Sequence, residues 1–411
     1  FARATDASKI ALAALVGPVF DRIAAGAAQR DRQRLLAHEP VQWLQDAGFG
    51  AVRVPTAYRR KSASVEQWVD LLIALAKSDS NLPQIYRTHF GFLDRVLLEK
   101  DDITRQRWLP LAAQGVFFGN ASTECGEAPH GQLRTTLTVA PGTPGHWLLN
   151  GEKFYSTGSL YADWIAATAT QHPADGQGEP RLVIALTPVG VPGLERVDDW
   201  DGFGQRLSGS GTTRFTDVPI PNDRVITHSH AQPSPIVALF QLVHLATVTG
   251  IAQALADDAA AYVRTRQRTF SHASGATPAQ DPLVQQVVGQ LASTAFVATA
   301  TVRAVAASLG DVARARQAGQ AVSQTQLDTL ELQTAKAQVG VFDSVLQAAS
   351  RLFDVGGASA LSAELGLDRH WRNVRTLASH NPVIYKARLV GDNAINFTSF
   401  LFHWNVGVKA S

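Results

Sequence analysis

The chain has 411 residues, 45% hydrophobic and 18% charged, with a formal net charge of +2 and one cysteine, Cys125. That length fits two or three domains with ample apolar content for a core, and so small a charge gives no long-range field for nucleic acid or an anionic membrane. A single cysteine permits neither an internal disulfide nor a Cys-based metal cluster, so no metal site is expected. No uninterrupted apolar run approaches about 18 residues and no signal-peptide pattern opens the chain, which makes a cytoplasmic location the default expectation.

Residues 1–112 read as an α-helical domain, with apolar residues at three- and four-residue intervals as in Leu35, Leu36, Val41 and Leu44. Ser64 with Gln67 three residues on looks like a capping box. A later helix carries His89 in an apolar segment, where a histidine is more often a core residue bonded to a carbonyl than a catalytic one. Residues 113–222 change texture to short strands and turns, including Val116–Glu124, Trp164–Ala169, Arg181–Thr187 and Thr212–Val218, as in a β barrel or sandwich. Residues 223–411 return to long Ala-rich helices suited to an antiparallel four-helix bundle, followed by a short helix near Asp368 and a tail with no clear period. The fold class expected is mainly α with a small β domain. Met is absent from all 411 residues, unusual for such a composition, so motifs are matched by order as well as by distance.

The most informative stretch is Asn150 to Trp164. Asn150-Gly151 reads as a tight turn, and Phe154, Tyr155, Ser156 and Thr157 as a strand that ends at Gly158. It presents a ring and hydroxyls against which a flat heteroaromatic ligand could lie, or simply hydroxyls facing water. His228-Ser229-His230 reads as a solvated loop rather than a metal site, and Asp257-Asp258 as an exposed helical face. No Gly-x-Gly-x-x-Gly follows a strand, so a nicotinamide site is not expected.

Helical domain, β domain and helix bundle, in that order, resemble the acyl-CoA dehydrogenase fold. Thr123-Glu124, Asn150-Gly151-Glu152-Lys153, Gly204-Gln205-Arg206, the stretch from Tyr262 to Phe270, Gly356-Gly357 and Asp368-Arg369-His370 all resemble its motifs. Where the dehydrogenases place a proton-abstracting glutamate, this chain has Ser379-His380-Asn381-Pro382, with no carboxylate. The pattern is closer to the flavin-dependent monooxygenases of this fold, of the dibenzothiophene and organosulfur type, through His89-Phe90-Gly91-Phe92, Gly119-Asn120-Ala121, Lys153 to Gly158, Asp199 to Arg206 and Arg264 to Arg268.

That resemblance implies FMN, reduced to FMNH2 by a separate flavin reductase. The flavin reacts with O2 to a C4a-(hydro)peroxyflavin and transfers one oxygen atom to a small apolar or aromatic substrate, organosulfur first. His380 and His89 are then the candidate proton donors, and Ser156 and Asn120 the hydrogen-bonding partners of flavin N5 or of the peroxide. Thr123, Tyr155, Thr157, Gly356, Gly357, Phe270 and Asn381 would line the cofactor. Phe92, Trp200 and His89 would face the substrate, with Trp200 as readily a hydrophobic plug. Arg266 or Arg268 would hold the phosphate of a neighbouring subunit's flavin, unless the arginines at this helix end, Arg264 included, merely complement its dipole. A homo-oligomer, tetrameric, is expected. The alternatives are an FAD-dependent acyl-CoA dehydrogenase or oxidase, and a non-catalytic flavin-binding homologue.

Overall fold

The computed structural model describes residues 2–59, 61–99, 101–126, 133–174, 177–227 and 234–399. Five helices come first: α1 (Ala2–Gln33), α2 (His38–Asp46), α3 (Val65–Ser78), α4 (Asn81–Leu98) and α5 (Asp102–Ala113). α3 starts where the sequence says it should. Ser64 Oγ accepts from Gln67 N at 3.2 Å and Gln67 Oε1 accepts from Ser64 N at 3.0 Å, which satisfies two otherwise orphaned donors. α4 is buried on every side from Asn81 to Leu93, so its polar residues lie in the interior and must be paired there.

The strands are β1 (Phe118–Ala121), β2 (Thr136–Val139), β3 (His146–Lys153), β4 (Trp164–Gln171), β5 (Arg181–Pro188), β6 (Leu194–Arg196), β7 (Thr213–Pro221) and β8 (Val225–Thr227). They form one sheet in the order β6-β7-β3-β2-β4-β5-β8, with β1 parallel to β4. Among the described residues this hydrogen-bonded path does not close on itself. The expected turn at Asn150-Gly151 is instead a bulge inside β3, because β3 pairs with β7 on both sides of a register shift between Leu149 and Gly151. Asn150 is held there by Asp217, donating to its carboxylate at 2.9 Å and accepting from its N–H at 2.8 Å. The expected strand over 154–157 is also a correction. β3 ends at Lys153, and Tyr155 adopts a left-handed φ of +56° that turns the chain out of the sheet.

The last helices are α6 (Ile236–Thr265), α7 (Pro282–Gln317), α8 (Gln324–Arg351), α9 (Asp368–His380) and α10 (Val383–Asn396). α7 runs unbroken through Gly310, and α10 covers the start of the tail that showed no period. α6 and α7 are long and apolar enough to cross a membrane by length and composition. α6 instead forms the centre of the protein, packed on α3, α7 and α8. A Cβ at Gly250 would lie 2.4 Å from the Ile73 carbonyl, so this glycine lets α6 and α3 meet backbone to backbone. α7 leaves Leu283, Phe296 and Val297 exposed. Asp258 does not face solvent freely. It accepts from Arg369 and His370, both at 2.8 Å, and ties α6 to α9.

Candidate functional site

The turn that follows β3 is fixed from three directions. Its Phe154 N–H donates to the Thr123 carbonyl at 2.8 Å, which sets it beside the segment that leaves β1. Ser156 N donates to Gly211 O at 3.1 Å and Gly158 N to Ser208 O at 3.0 Å, which ties it to the loop before β7. From α4, Thr88 Oγ1 donates to the Thr157 carbonyl at 3.3 Å. Gly158 has φ +79°, and a Cβ there would sit 2.9 Å from the Ile85 carbonyl, so only glycine fits this contact. Thr157 Oγ1 lies 2.9 Å from Ser210 Oγ, which is 2.7 Å from Ser208 Oγ. Ser156 differs from its neighbours. It is fully buried, and its Oγ has no hydrogen-bond partner among the described residues. A buried hydroxyl without a partner is costly, and a polar ligand at this turn would satisfy it.

Tyr155 precedes this hydroxyl in the chain, and Asn120 lies on β1, three residues before the Thr123 carbonyl that holds the turn. Asn120 Oδ1 accepts from Ser122 Oγ at 2.7 Å, which leaves the amide NH2 free to donate. The Tyr155 ring is 6.0 Å from that of Trp200, whose Nε1 donates to Gln205 O at 3.0 Å. Gly204 crosses α9 so closely that a Cβ would meet the Arg372 carbonyl at 2.2 Å. Gln205 N donates to Asn373 Oδ1 at 2.6 Å, so the end of β3, the Trp200 loop and α9 are one connected structure.

His380 ends α9 with its outer side exposed. Its Nε2 is 3.1 Å from Arg87 Nη2. A guanidinium only donates, so Nε2 is the acceptor and the ring is the neutral Nδ1–H tautomer. Loss of hydration on its inner face and the positive charge of Arg87 both push its pKa down from the ordinary 6.5, against a hydrogen bond that the ring donates to Asn381 and that raises it. The ring meets His244 of α6 edge-on at 4.6 Å between centroids, and His244 Nε2 pairs with Gln84 Oε1 at 3.0 Å. Beyond it, Lys386 of α10 donates to Gln241 at 3.1 Å and to Gln338. His380 is therefore no imidazolium acid at neutral pH, contrary to the sequence expectation.

Two further expectations fail. His89 is buried, with Nε2 donating to Gly50 O at 2.9 Å and Nδ1 accepting from Phe118 N at 3.1 Å. Both nitrogens are occupied, and burial lowers the pKa to about 4 despite the Gly50 bond, so His89 is neither a proton donor nor a substrate contact. Phe92 is also core: its ring packs on Phe118 at 4.5 Å and on Trp108 at 6.1 Å. Glu124 carries structure as well. Its carboxylate accepts from Lys153 Nζ at 2.7 Å, Thr135 N at 2.9 Å and Arg134 N at 2.7 Å.

The arginine segment lies elsewhere. Arg266 Nη1 donates to the Tyr262 hydroxyl at 2.6 Å and to Gly356 O at 2.5 Å, and its Nε to Arg268 O at 3.2 Å, so its guanidinium braces the Gly356-Gly357 turn. The side chains of Arg268 and Phe270 are exposed, the latter against Gly357. From His244 to Arg266 is 22 residues of α6 axis, roughly 33 Å at 1.5 Å per residue. A ligand beside His380 cannot also reach these arginines in the same chain unless it is far longer than a mononucleotide. A cavity of about 580 Å³ between α1, α3, α6 and α7, lined among others by Phe20, Asp70, Leu71 and Arg303, contains none of the candidate residues. His228-Ser229-His230 lies outside the described residues.

The chain is similar to known proteins over most of its length. Residues 242–384 match the family described as acyl-CoA dehydrogenase, C-terminal domain. The chain superposes with a TM-score of 0.86 on the FMN-bound structure of TdsC, a dibenzothiophene monooxygenase of Paenibacillus sp. A11-2, at 27% identity over 97% of this chain and 98% of that one. This chain has the acyl-CoA dehydrogenase fold and is related to its flavin-dependent monooxygenases. A probable FMNH2-dependent monooxygenase of Pseudomonas putida is 29% identical over 86% of this chain and 87% of its own length. The methanesulfinate monooxygenase of Pseudomonas fluorescens gives a TM-score of 0.83 at 26% identity, covering 94% of this chain and 97% of that one.

The sequence reading missed Arg87, Gln84, His244, Gln241 and Lys386. A signal was present. Each is a polar residue inside a helix whose neighbours are apolar, and such a residue needs an interior partner.

Proposed function

We propose that this chain is the oxygenase of a two-component system, binding FMNH2 supplied by a separate flavin reductase and oxygenating a small organosulfur substrate. The observation that carries the reading is Ser156, a buried hydroxyl lacking a partner in a turn that only a left-handed Tyr155 and a glycine at 158 can form. With Asn120 Nδ2 and the Tyr155 and Trp200 rings beside that turn, the donor set suits the polar edge and flat faces of an isoalloxazine. Reduced flavin supplies two electrons and activates O2, one oxygen atom going to the substrate and the other to water. Ser156 Oγ holds the ring edge, Asn120 donates to it, and the aromatic pair excludes water. His380 orients Arg87 and carries its proton on Nδ1.

The dehydrogenase alternative requires a carboxylate base where His380 stands. The charges acting on His380 are those of Arg87 and Lys386, both cationic, which disfavours it. Exposed Leu283, Phe296 and Val297 on α7, together with the roughly 33 Å between His380's surroundings and the arginine segment, favour a homo-oligomer. In it Arg268 of one copy would reach the flavin phosphate of another.

Incubating the purified protein with photoreduced FMN, O2 and either dibenzothiophene or methyl phenyl sulfide tests the reading. Sulfoxide is the expected product. Dye reduction with an acyl-CoA and no sulfoxide would support the dehydrogenase alternative, and flavin binding with neither reaction a non-catalytic homologue.

A further inference from the structure

Arg87 is 9% exposed, and no described carboxylate pairs with it. Its Nη2 donates to a neutral imidazole, its Nε is buried with no partner, and its Nη1 makes no hydrogen bond to any described residue. The Phe240 ring, 5.1 Å from Cζ, compensates part of the charge. Phe240 reaches that position because residue 91 is glycine: a Cβ there would lie 2.1 Å from the ring.

The surroundings add positive charge rather than removing it. α10 brings Lys386, and α6 and α9 bring His244 and His380, which bear no charge. The carboxylate that α8 contributes, Glu331, is buried, which raises its pKa, and accepts from Ala238 N at 2.8 Å with no bond to Arg87 among the described residues. A buried guanidinium is strongly unfavourable unless an anion meets it. The chain supplies none among the described residues, and the imidazole that Arg87 touches opens outward.

We propose that Arg87, backed by Phe240 and oriented by His380, is an anion-recognition site, and that the substrate of this chain carries a compact oxyanion, a sulfinate or a carboxylate. The inference rests on the monooxygenase reading for the word substrate, but the binding site stands apart from it. The planar fork of the guanidinium suits two oxygens of one such group, as an ammonium does not. A neutral aromatic sulfide would leave the charge without a counter-ion.

The test is equilibrium binding of benzenesulfinate, benzoate and methyl phenyl sulfide to the full chain, with and without FMN, in the wild type and in Arg87→Met. Expected is saturable binding of one or both anions that weakens at least about 30-fold in Arg87→Met, with sulfide and FMN affinities unchanged. Benzenesulfinate against benzoate tells which oxyanion is preferred. Should Arg87→Met not fold, Arg87→Lys keeps the charge but loses the fork, and anion binding should fall while FMN affinity holds. No saturable binding of either anion to the wild type, or binding that the substitutions leave untouched, overturns the proposal. A parallel fall in FMN affinity also overturns it, by assigning Arg87 to the flavin. Sulfoxidation of methyl phenyl sulfide without anion binding sinks the anion site alone. Anion binding with no oxygenation of any substrate sinks the monooxygenase reading alone.

Discussion

Lys153 Nζ, at the buried end of β3, donates to Glu124 Oε1 at 2.7 Å and to the Ser122 carbonyl at 3.3 Å. This pair fastens the segment that leaves β1 to the residue just before the Tyr155 turn. Burial alone would raise the Glu124 pKa, but Lys153, Thr135 and two backbone N–H groups outweigh it and hold it at about 2. Lys153→Met removes one partner of a buried pair and should cost about 3 kcal/mol of stability in urea unfolding. Adding Glu124→Gln should restore part of that loss. If Lys153→Met unfolds at the wild-type midpoint, the pair does not fasten the turn.

Acid stability follows from the same residue and from His89. Glu124's folded pKa lies below the ordinary carboxylate value of 4.5, so its contribution is present above pH 4.5 and lost as pH falls towards 2. His89 is depressed from 6.5 to about 4, so the unfolded chain binds its proton first. Stability from this source is complete above pH 6.5 and declines between 6.5 and 4. In His89→Gln, thermal unfolding should lose part of that slope and about 1 kcal/mol at pH 7, while turnover per folded protein stays near wild type. A collapse of turnover with intact folding would return His89 to the site.

Ser156→Ala separates structure from function. Removing a buried hydroxyl that has no partner should leave the flavin-free protein as stable or slightly more stable. FMN binding, followed by fluorescence quenching, should weaken about tenfold, the effect of one lost hydrogen bond to a buried partner. Equal flavin affinity in the two proteins would remove Ser156 from the proposed ring site.

Gly158→Ala tests the turn itself. The residue has φ +79° and faces the Ile85 carbonyl at 2.9 Å, so a methyl group meets both backbone strain and a clash with α4. A loss of about 2 kcal/mol or more is expected, with flavin binding falling alongside. An unchanged melting temperature would show that the turn adjusts freely.

His380 enters the pH dependence of turnover by its absence. With its Nε2 held by Arg87 and its pKa well below neutrality, turnover between pH 5.5 and 8 should show no acid limb from this imidazole. A limb near pH 6.5 that disappears in His380→Gln would mean that the ring titrates freely and that Arg87 does not hold it.

Local rules settled much of this protein from the sequence. The Ser64 and Gln67 cap, the switch from helical to strand periodicity after residue 113 and the long apolar helices after 235 are all short-range patterns, and the elements appear where those patterns lie. The run of motifs likewise carried the fold and the flavin-monooxygenase relationship. What the sequence left open were facts about neighbours remote in the chain. His89 and His380 look alike as letters, yet one has both nitrogens closed by Gly50 and Phe118 and the other is exposed beside Arg87, 293 residues away. The left-handed Tyr155 that ends β3, the unpartnered Ser156 and the uncompensated charge of Arg87 depend on how helices and sheet pack. Burial and hydrogen-bond satisfaction are properties of the packed chain, and residue type alone does not fix them.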